Sequence, residues 1–176
     1  MQFGTLLFLP VSDRPELVAP PVQARLAQGP LGDDIYIAAI DPTLADTAAF
    51  CEAYGVTLET SANCIIVEAK RADRTWYAAC LVLASDRLDV NGKVRRHLGA
   101  RKASFAPQEV ALELTGMAYG GITPLGMPVD MPILIDEKVL GQNLVIIGSG
   151  LRSSKILIRS VALADLASVE TASLAQ

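Results

Sequence analysis

Two apolar runs of strand length, residues 63–69 and 75–84, flank the polar turn Lys70-Arg71-Ala72-Asp73-Arg74, a pattern that predicts a β-hairpin. Shorter apolar runs predict strands at residues 5–9, 34–40, 133–136, 144–148 and 156–158. Leu44, Ala48, Cys51 and Tyr54 fall at helical spacing behind Asp41-Pro42, a cap followed by a first-turn proline, and Gly55 ends that helix. Pro21 opens a helix to about Gln28, since proline is tolerated in a first turn. Further helices are predicted from an Asn91 cap to Gly99, over residues 108–115 between Pro107 and Gly116, and over 161–169. A loop rich in glycine and proline fills 116–132, and no repeat or low-complexity segment occurs. Helices and short strands alternate, but the hairpin among them favours an α+β fold with a mixed sheet over a doubly wound parallel one.

The chain has 176 residues, of which 51% are hydrophobic and 19% charged, a balance that predicts an ordered single domain. No apolar run approaches the ~18 residues of a membrane span, and no basic region precedes an apolar stretch at the N-terminus. Three cysteines, Cys51, Cys64 and Cys80, match neither a disulfide framework nor a zinc ligand set. These features predict a reduced, cytoplasmic protein with no metal and no cofactor. The net charge of −4 is uneven: residues 1–60 carry two basic against eight acidic side chains. The densest basic stretch holds Arg87, Lys93, Arg95, Arg96, Arg101 and Lys102 against Asp89, and a second cluster holds Arg152, Lys155 and Arg159. An acidic total argues against a general nucleic-acid coat, whereas a local basic face can still follow a phosphate backbone.

The single histidine, His97, sits between Arg96 and Leu98 with no nucleophile elbow anywhere in the chain. Gly116-x-x-x-Gly120-Gly121 and Gly148-x-Gly150 match neither the dinucleotide fingerprint nor the Walker loop, which excludes those nucleotide chemistries. What remains is a site built from backbone. Gly120 and Gly121 permit close approach of main chain to a ligand, so the loop can present N–H groups to a carbonyl oxygen or carboxylate.

That loop and its flanks resemble the YbaK/prolyl-tRNA-synthetase-associated domain family. The resemblance runs in order through Gly99-Ala-Arg-Lys102, Phe105-Ala-Pro-Gln-Glu109, Thr115-Gly116 with Gly120-Gly-Ile-Thr-Pro124, Ile135-Asp136-Glu137, Gly148-Ser-Gly150 and Asp165-Leu166. It implies a mixed, partly barrel-like β-sheet flanked by helices, with residues 1–21 as an N-terminal extension and 22–176 as one editing domain. It further implies trans-editing, in which water hydrolyses the ester of a mischarged tRNA carrying a small amino acid. Mischarged tRNA and an aminoacyl-tRNA synthetase are the implied partners, with no DNA and no membrane. Carried onto this sequence, the catalytic positions are Asn63, Gly120, Gly121 and Thr123. Substrate binding falls to Ile122, Pro124, Asp136, Gly148, Ser149 and Gly150, and tRNA binding to Lys93, Arg95, Arg96, Lys102 and Lys155. Met117, Tyr119, Ile122 and Met127 suggest a small or apolar aminoacyl group, and Cys64 is a further candidate for lining the site.

One position departs from the family. A lysine common at the start of the hairpin's first strand is here Asn63, which can donate and accept hydrogen bonds but carries no charge. Lys102 and Lys155 are the candidates to supply the missing cation. The sequence therefore supports two readings: a deacylase, or a module of the same fold that binds an amino acid or tRNA without hydrolysis.

Overall fold

The computed structural model describes residues 1–29, 31 and 35–176. Its strands are β1 (Gln2–Phe3), β2 (Leu6–Leu7), β3 (Leu9–Pro10), β4 (Ile35–Ala39), β5 (Ala62–Arg71), β6 (Arg74–Leu83), β7 (Lys102–Phe105), β8 (Ile133–Asp136), β9 (Leu144–Gly148), β10 (Ser154–Arg159) and β11 (Val169–Ala172). The α-helices are α1 (Pro20–Ala27), α2 (Thr47–Tyr54), α3 (Arg95–His97), α4 (Gln108–Thr115) and α5 (Glu137–Leu140). Beyond the small β1–β2 hairpin, one sheet runs β3-β4-β10-β9 and another β11-β8-β6-β5-β7. The second is mixed: β8 pairs parallel with both β6 and β11, whereas β5 is antiparallel to β6 and β7. A parallel bridge between Ser61 and Ile146 joins the two open sheets. No helix among the described residues is long and apolar enough to cross a membrane.

Alternation along β10 explains much of the packing. Ile156 and Ile158 point into the main core between the sheets, with Ile147 of β9 and Leu81 of β6. Leu157 points the other way, into a second core with Phe8, Phe50 and Ile146 beneath α2. Side chains of a strand alternate between faces. Lys155 therefore falls on the α2 side, and its ammonium lies 5.4 Å from the Phe50 ring centroid. A third core on the outer face of the five-stranded sheet gathers Val67, Cys80, Val94 and Leu134.

The predicted hairpin forms as β5 and β6, in register from Ala62↔Leu83 to Arg71↔Arg74. Four expectations change. The predicted C-terminal helix is a short 3-10 turn, Ser160–Asp165, followed by β11, because β8 offers a parallel edge that Val169 to Ala172 complete. The predicted first strand is the β1–β2 hairpin with Leu9 and Pro10 pairing separately onto β4. The helix after Pro42 begins only at Thr47, with residues 42–44 in a 3-10 turn. The basic segment is capped by Asp89 rather than Asn91: its carboxylate accepts from Gly92 N and Lys93 N, opening a wide π-type turn, Val90–Val94. Asp34 of the predicted 34–40 strand lies outside the described residues; Ile35 to Ala39 form β4.

Candidate active site

Strand β7 pairs with β5 from Val67 to Lys70 and Ala106 N adds a bond to Ile66 O, so the edge of β5 from Ala62 to Ile65 is left open on that side. A cleft of about 580 Å³ occupies this notch. Its walls come from the start of α2 (Asp46, Thr47, Ala48), from α4 (Ala111, Leu112) and from the glycine loop (Tyr119, Gly120, Ile122). Gly148 and Lys155 of the other sheet also line it, so both sheets contribute. Phe105 and Tyr119, 62% and 52% exposed, are aromatic rims.

Lys155 is 6% exposed. Its Nζ donates to Ala45 O at 3.0 Å and, at the limit of a hydrogen bond, to Gly120 O at 3.5 Å. Burial lowers its pKa to about 8, partly opposed by Cys51 and Asp46. Asn63 enters from β5, where its Oδ1 accepts from Thr47 Oγ1 at 2.5 Å. That distance is too short for N–H···O and lies at the short end for O–H···O. With its carbonyl oxygen engaged by the hydroxyl, Asn63 has its amide N–H groups to offer a ligand. Cys64 sits in the same wall as a protonated thiol, its pKa pushed far up by burial and then by Cys80.

The glycine loop reaches the cleft through close backbone contacts. Gly120 has φ +76°, a left-handed conformation for which glycine is suited, and Arg152 lies against it. A Cβ at Gly148 would collide with the carbonyl oxygens of Gly121 and Ile122, so only glycine seats this loop against β9. Gly150 N donates to Gly121 O at 2.7 Å and Ala118 N to Gly150 O at 2.8 Å, tying the 116–124 and 148–152 segments together. Arg152 adds a clamp: Nη1 donates to Tyr119 O at 3.0 Å and Nε to Pro42 O at 3.2 Å.

The structure thus brings Asn63, Gly120, Ile122, Gly148 and Lys155 to one cleft. Other positions named from the sequence lie elsewhere. Gly121 braces the loop against Leu151 and Gly150 from behind. Thr123 is fully buried: its N–H donates to Met117 Sδ, and its hydroxyl has no partner among the described residues. Pro124 lines a separate cavity with Pro21 and Gly126. The Ser149 hydroxyl belongs to a buried network with Ser154, and Gly150 packs under Ala19 and Val22. Asp136 is 2% exposed and caps α5, accepting from Lys138 N while its other oxygen accepts from Leu174 N and Ala175 N. It anchors the C-terminus rather than lining the cleft.

The basic residues divide as well. Lys155, expected on the phosphate side, is buried in the cleft. Lys93 donates to Ser173 Oγ and Ala175 O, and Arg95 Nε to Asn91 O at 2.7 Å. Arg96 and Lys102 are exposed. His97 lies outside the cleft, its Nε2 2.7 Å from Glu170 Oε2. Asp46 and Thr47 belong to the cleft but carried no sequence signal, since an aspartate before a helix reads as a cap; Phe105 stood in a motif stretch but was not named as a site residue. Among the described residues no group of three or more His, Cys, Asp or Glu side chains is arranged to hold a metal ion.

The two-sheet α+β scaffold thus holds a cleft lined by glycine-loop backbone, the amides Asn63 and Gln108, Asp46 and Lys155. Residues 41–166 match the aminoacyl-tRNA editing domain family, and the chain belongs to that family. Solved structures share the fold. One described as a "putative trans-editing enzyme for prolyl tRNA synthetase" superimposes with a TM-score of 0.75 at 23% identity, covering 90% of this chain and 99% of that one. A scaffold protein from epitope backbone grafting by computational design gives 0.75 at 21%, covering 90% and 97%. A hypothetical protein gives 0.77 at 19%, covering 89% and 99%.

Proposed function

We propose that this editing-domain protein is a free-standing trans-editing deacylase, which hydrolyses the ester linking a small amino acid to a mischarged tRNA. The observation that carries the reading is Lys155, a buried ammonium that reaches the same cleft as Asn63 and the Gly120 loop. Water adds to the ester carbonyl carbon, the bond to the terminal ribose oxygen breaks, and that oxygen leaves as the hydroxyl. Negative charge develops on the carbonyl oxygen. Asn63 amide N–H and the Lys155 ammonium are the donors available to it, in a partly desolvated site where such donors gain strength. An aminoacyl ester is already activated, so positioning and oriented dipoles suffice without a protein nucleophile.

In this reading Lys155 supplies, from β10, the cation that Asn63 lacks on β5. The small Ala45, Ala48 and Ala111 walls leave room for a side chain of modest size between apolar surfaces. Arg96 and Lys102 are the exposed cations for tRNA phosphates. Lys102 lies three residues along β7 from Phe105, roughly 10 Å from the cleft mouth. Residues 22–176 would form the editing domain, with 1–21 as an extension that adds Leu9 and Pro10 to the edge of β4.

The test is deacylation of tRNAs charged with Ala, Ser, Cys, Pro and Thr by the wild type, Lys155→Met and Asn63→Ala. The wild type is expected to release at least one amino acid, and Lys155→Met to lower that rate about 100-fold or more. No release from any substrate, with saturable tRNA binding, would instead establish the non-hydrolytic binding module.

A further inference from the structure

The chain places aspartates at helix and turn starts repeatedly, and most of them fold back on the backbone. Asp41 accepts from Thr43 N, Asp89 from Gly92 N and Lys93 N, and Asp136 from Lys138 N. Asp46 stands at the same position before α2 and makes no capping bond. Its carboxylate has no hydrogen bond or ion pair among the described residues; it is exposed and lines the cleft. Asp46 is the acidic side chain of the cleft lining, and Lys155 the basic one. The two are adjacent, since Lys155 Nζ donates to the carbonyl of Ala45, the residue before Asp46.

An apolar cleft with one anion beside one cation matches a group that carries opposite polarity over a few bonds. In an α-aminoacyl ester the ammonium and the carbonyl oxygen are three bonds apart. We infer that Asp46 receives the substrate's free α-ammonium, so that the cleft accepts α-aminoacyl groups and rejects N-acylated ones. This rests on the deacylase reading for the identity of the acyl group. With the carbonyl oxygen directed to Asn63 and Lys155, the ammonium falls to Asp46, and the side chain is left to Ala45, Ala48 and Ala111. N-acylation removes the charge that Asp46 attracts and adds bulk at the same point. The carboxylate is then covered without a cation, which costs more than the lost contact alone.

Two measurements separate this inference from the reading beneath it. The first is deacylation of alanyl-tRNA and seryl-tRNA against their N-acetylated forms, by the wild type and Asp46→Asn. The second is calorimetric binding of 3′-deoxy-3′-alanylamino-adenosine and its N-acetyl derivative, whose amide linkage needs no turnover. The wild type is expected to prefer the free-amino forms by about 10- to 100-fold, the span of a charge-assisted hydrogen bond. Asp46→Asn is expected to collapse that ratio toward one, with the larger loss on the free-amino forms. The Asp46 side chain makes no hydrogen bond among the described residues, so the melting temperature of the variant should stay near that of the wild type. Hydrolysis or binding without preference for the free amine overturns the inference and leaves the deacylase reading intact. An equal loss on both forms in Asp46→Asn also overturns it, by making Asp46 a base or a structural residue. Discrimination in binding without hydrolysis sustains it while overturning the deacylase reading. Binding and hydrolysis of neither form overturn both.

Discussion

In the deacylase reading, Lys155 is the residue at which stability and chemistry oppose one another. Its ammonium is buried with carbonyl partners and no contacting carboxylate, and its pKa falls to about 8 from an ordinary 10.5. The unfolded chain therefore binds more protons than the folded one between these values. Wild-type stability should rise with pH from about 8 toward 10.5, and the cost of charging Lys155 is present in full below about 8. Lys155→Met should unfold at the same or higher denaturant at pH 7, by up to about 2 kcal/mol, and should lose the rise above pH 8. Urea titrations at pH 7 and pH 9.5 check both points; a marked loss of stability at pH 7 would show that its two carbonyl bonds outweigh desolvation. If the ammonium form acts, kcat/KM for deacylation, corrected for spontaneous ester hydrolysis, should fall as pH passes about 8.

At the scale of elements, the glycine loop is held by contacts that admit no side chain. Gly148→Ala is expected to lower deacylation at least tenfold, because its Cβ would displace the carbonyls of Gly121 and Ile122 and shift Gly120 in the cleft. A rate within twofold of wild type, measured on the same charged tRNA, would show that the loop's position is not critical. How far these elements were legible follows from which forces set them. The β5–β6 hairpin was readable because two long apolar runs meet at a polar turn. Strand β7 was not: four residues, Lys-Ala-Ser-Phe, carry little strand preference, and they pair because β5 offers an edge distant in sequence. The same holds for β11, whose Ala- and Leu-rich approach suggests a helix until the edge of β8 claims Val169 onward. The glycine loop and Asn63 were legible as site elements from motif order. Lys155 was legible only as a candidate, since its burial depends on which face of β10 lies under α2. Asp46 was not legible, because only the geometry shows that its carboxylate leaves the backbone alone.

For the whole molecule, charge and cleft divide the work. The cleft is apolar with one anion and one cation, whereas the exposed cations on the α3–β7 side stand apart from it. Affinity for tRNA should thus be salt-sensitive and largely independent of the aminoacyl group. Replacing both Arg96 and Lys102 by Ala should reduce the slope of log affinity against log salt by about one to two, with small-molecule aminoacyl esters unaffected. Filter binding between 50 and 200 mM salt measures the slope; an unchanged slope would move the tRNA path to another face.

The seam between the sheets has a mechanical consequence. Within each sheet, neighbouring rungs share any load, as in the ten-pair register of β5 and β6. Across the notch, the backbone ladder among the described residues is the lone Ser61–Ile146 bridge, supported by a 3.4 Å contact between Ser61 Oγ and Cys51 Sγ. With one rung, the joint is held mainly by the core between the plates, where Ile147, Ile156 and Ile158 meet Ile66 and Leu81, so opening it would expose apolar surface. Asn63 rides on one plate and Lys155 on the other. The spacing of these two side chains is therefore set by side-chain packing between the plates rather than by a backbone ladder, so a core substitution far from the cleft, such as Ile147→Val, would reset it without touching either residue.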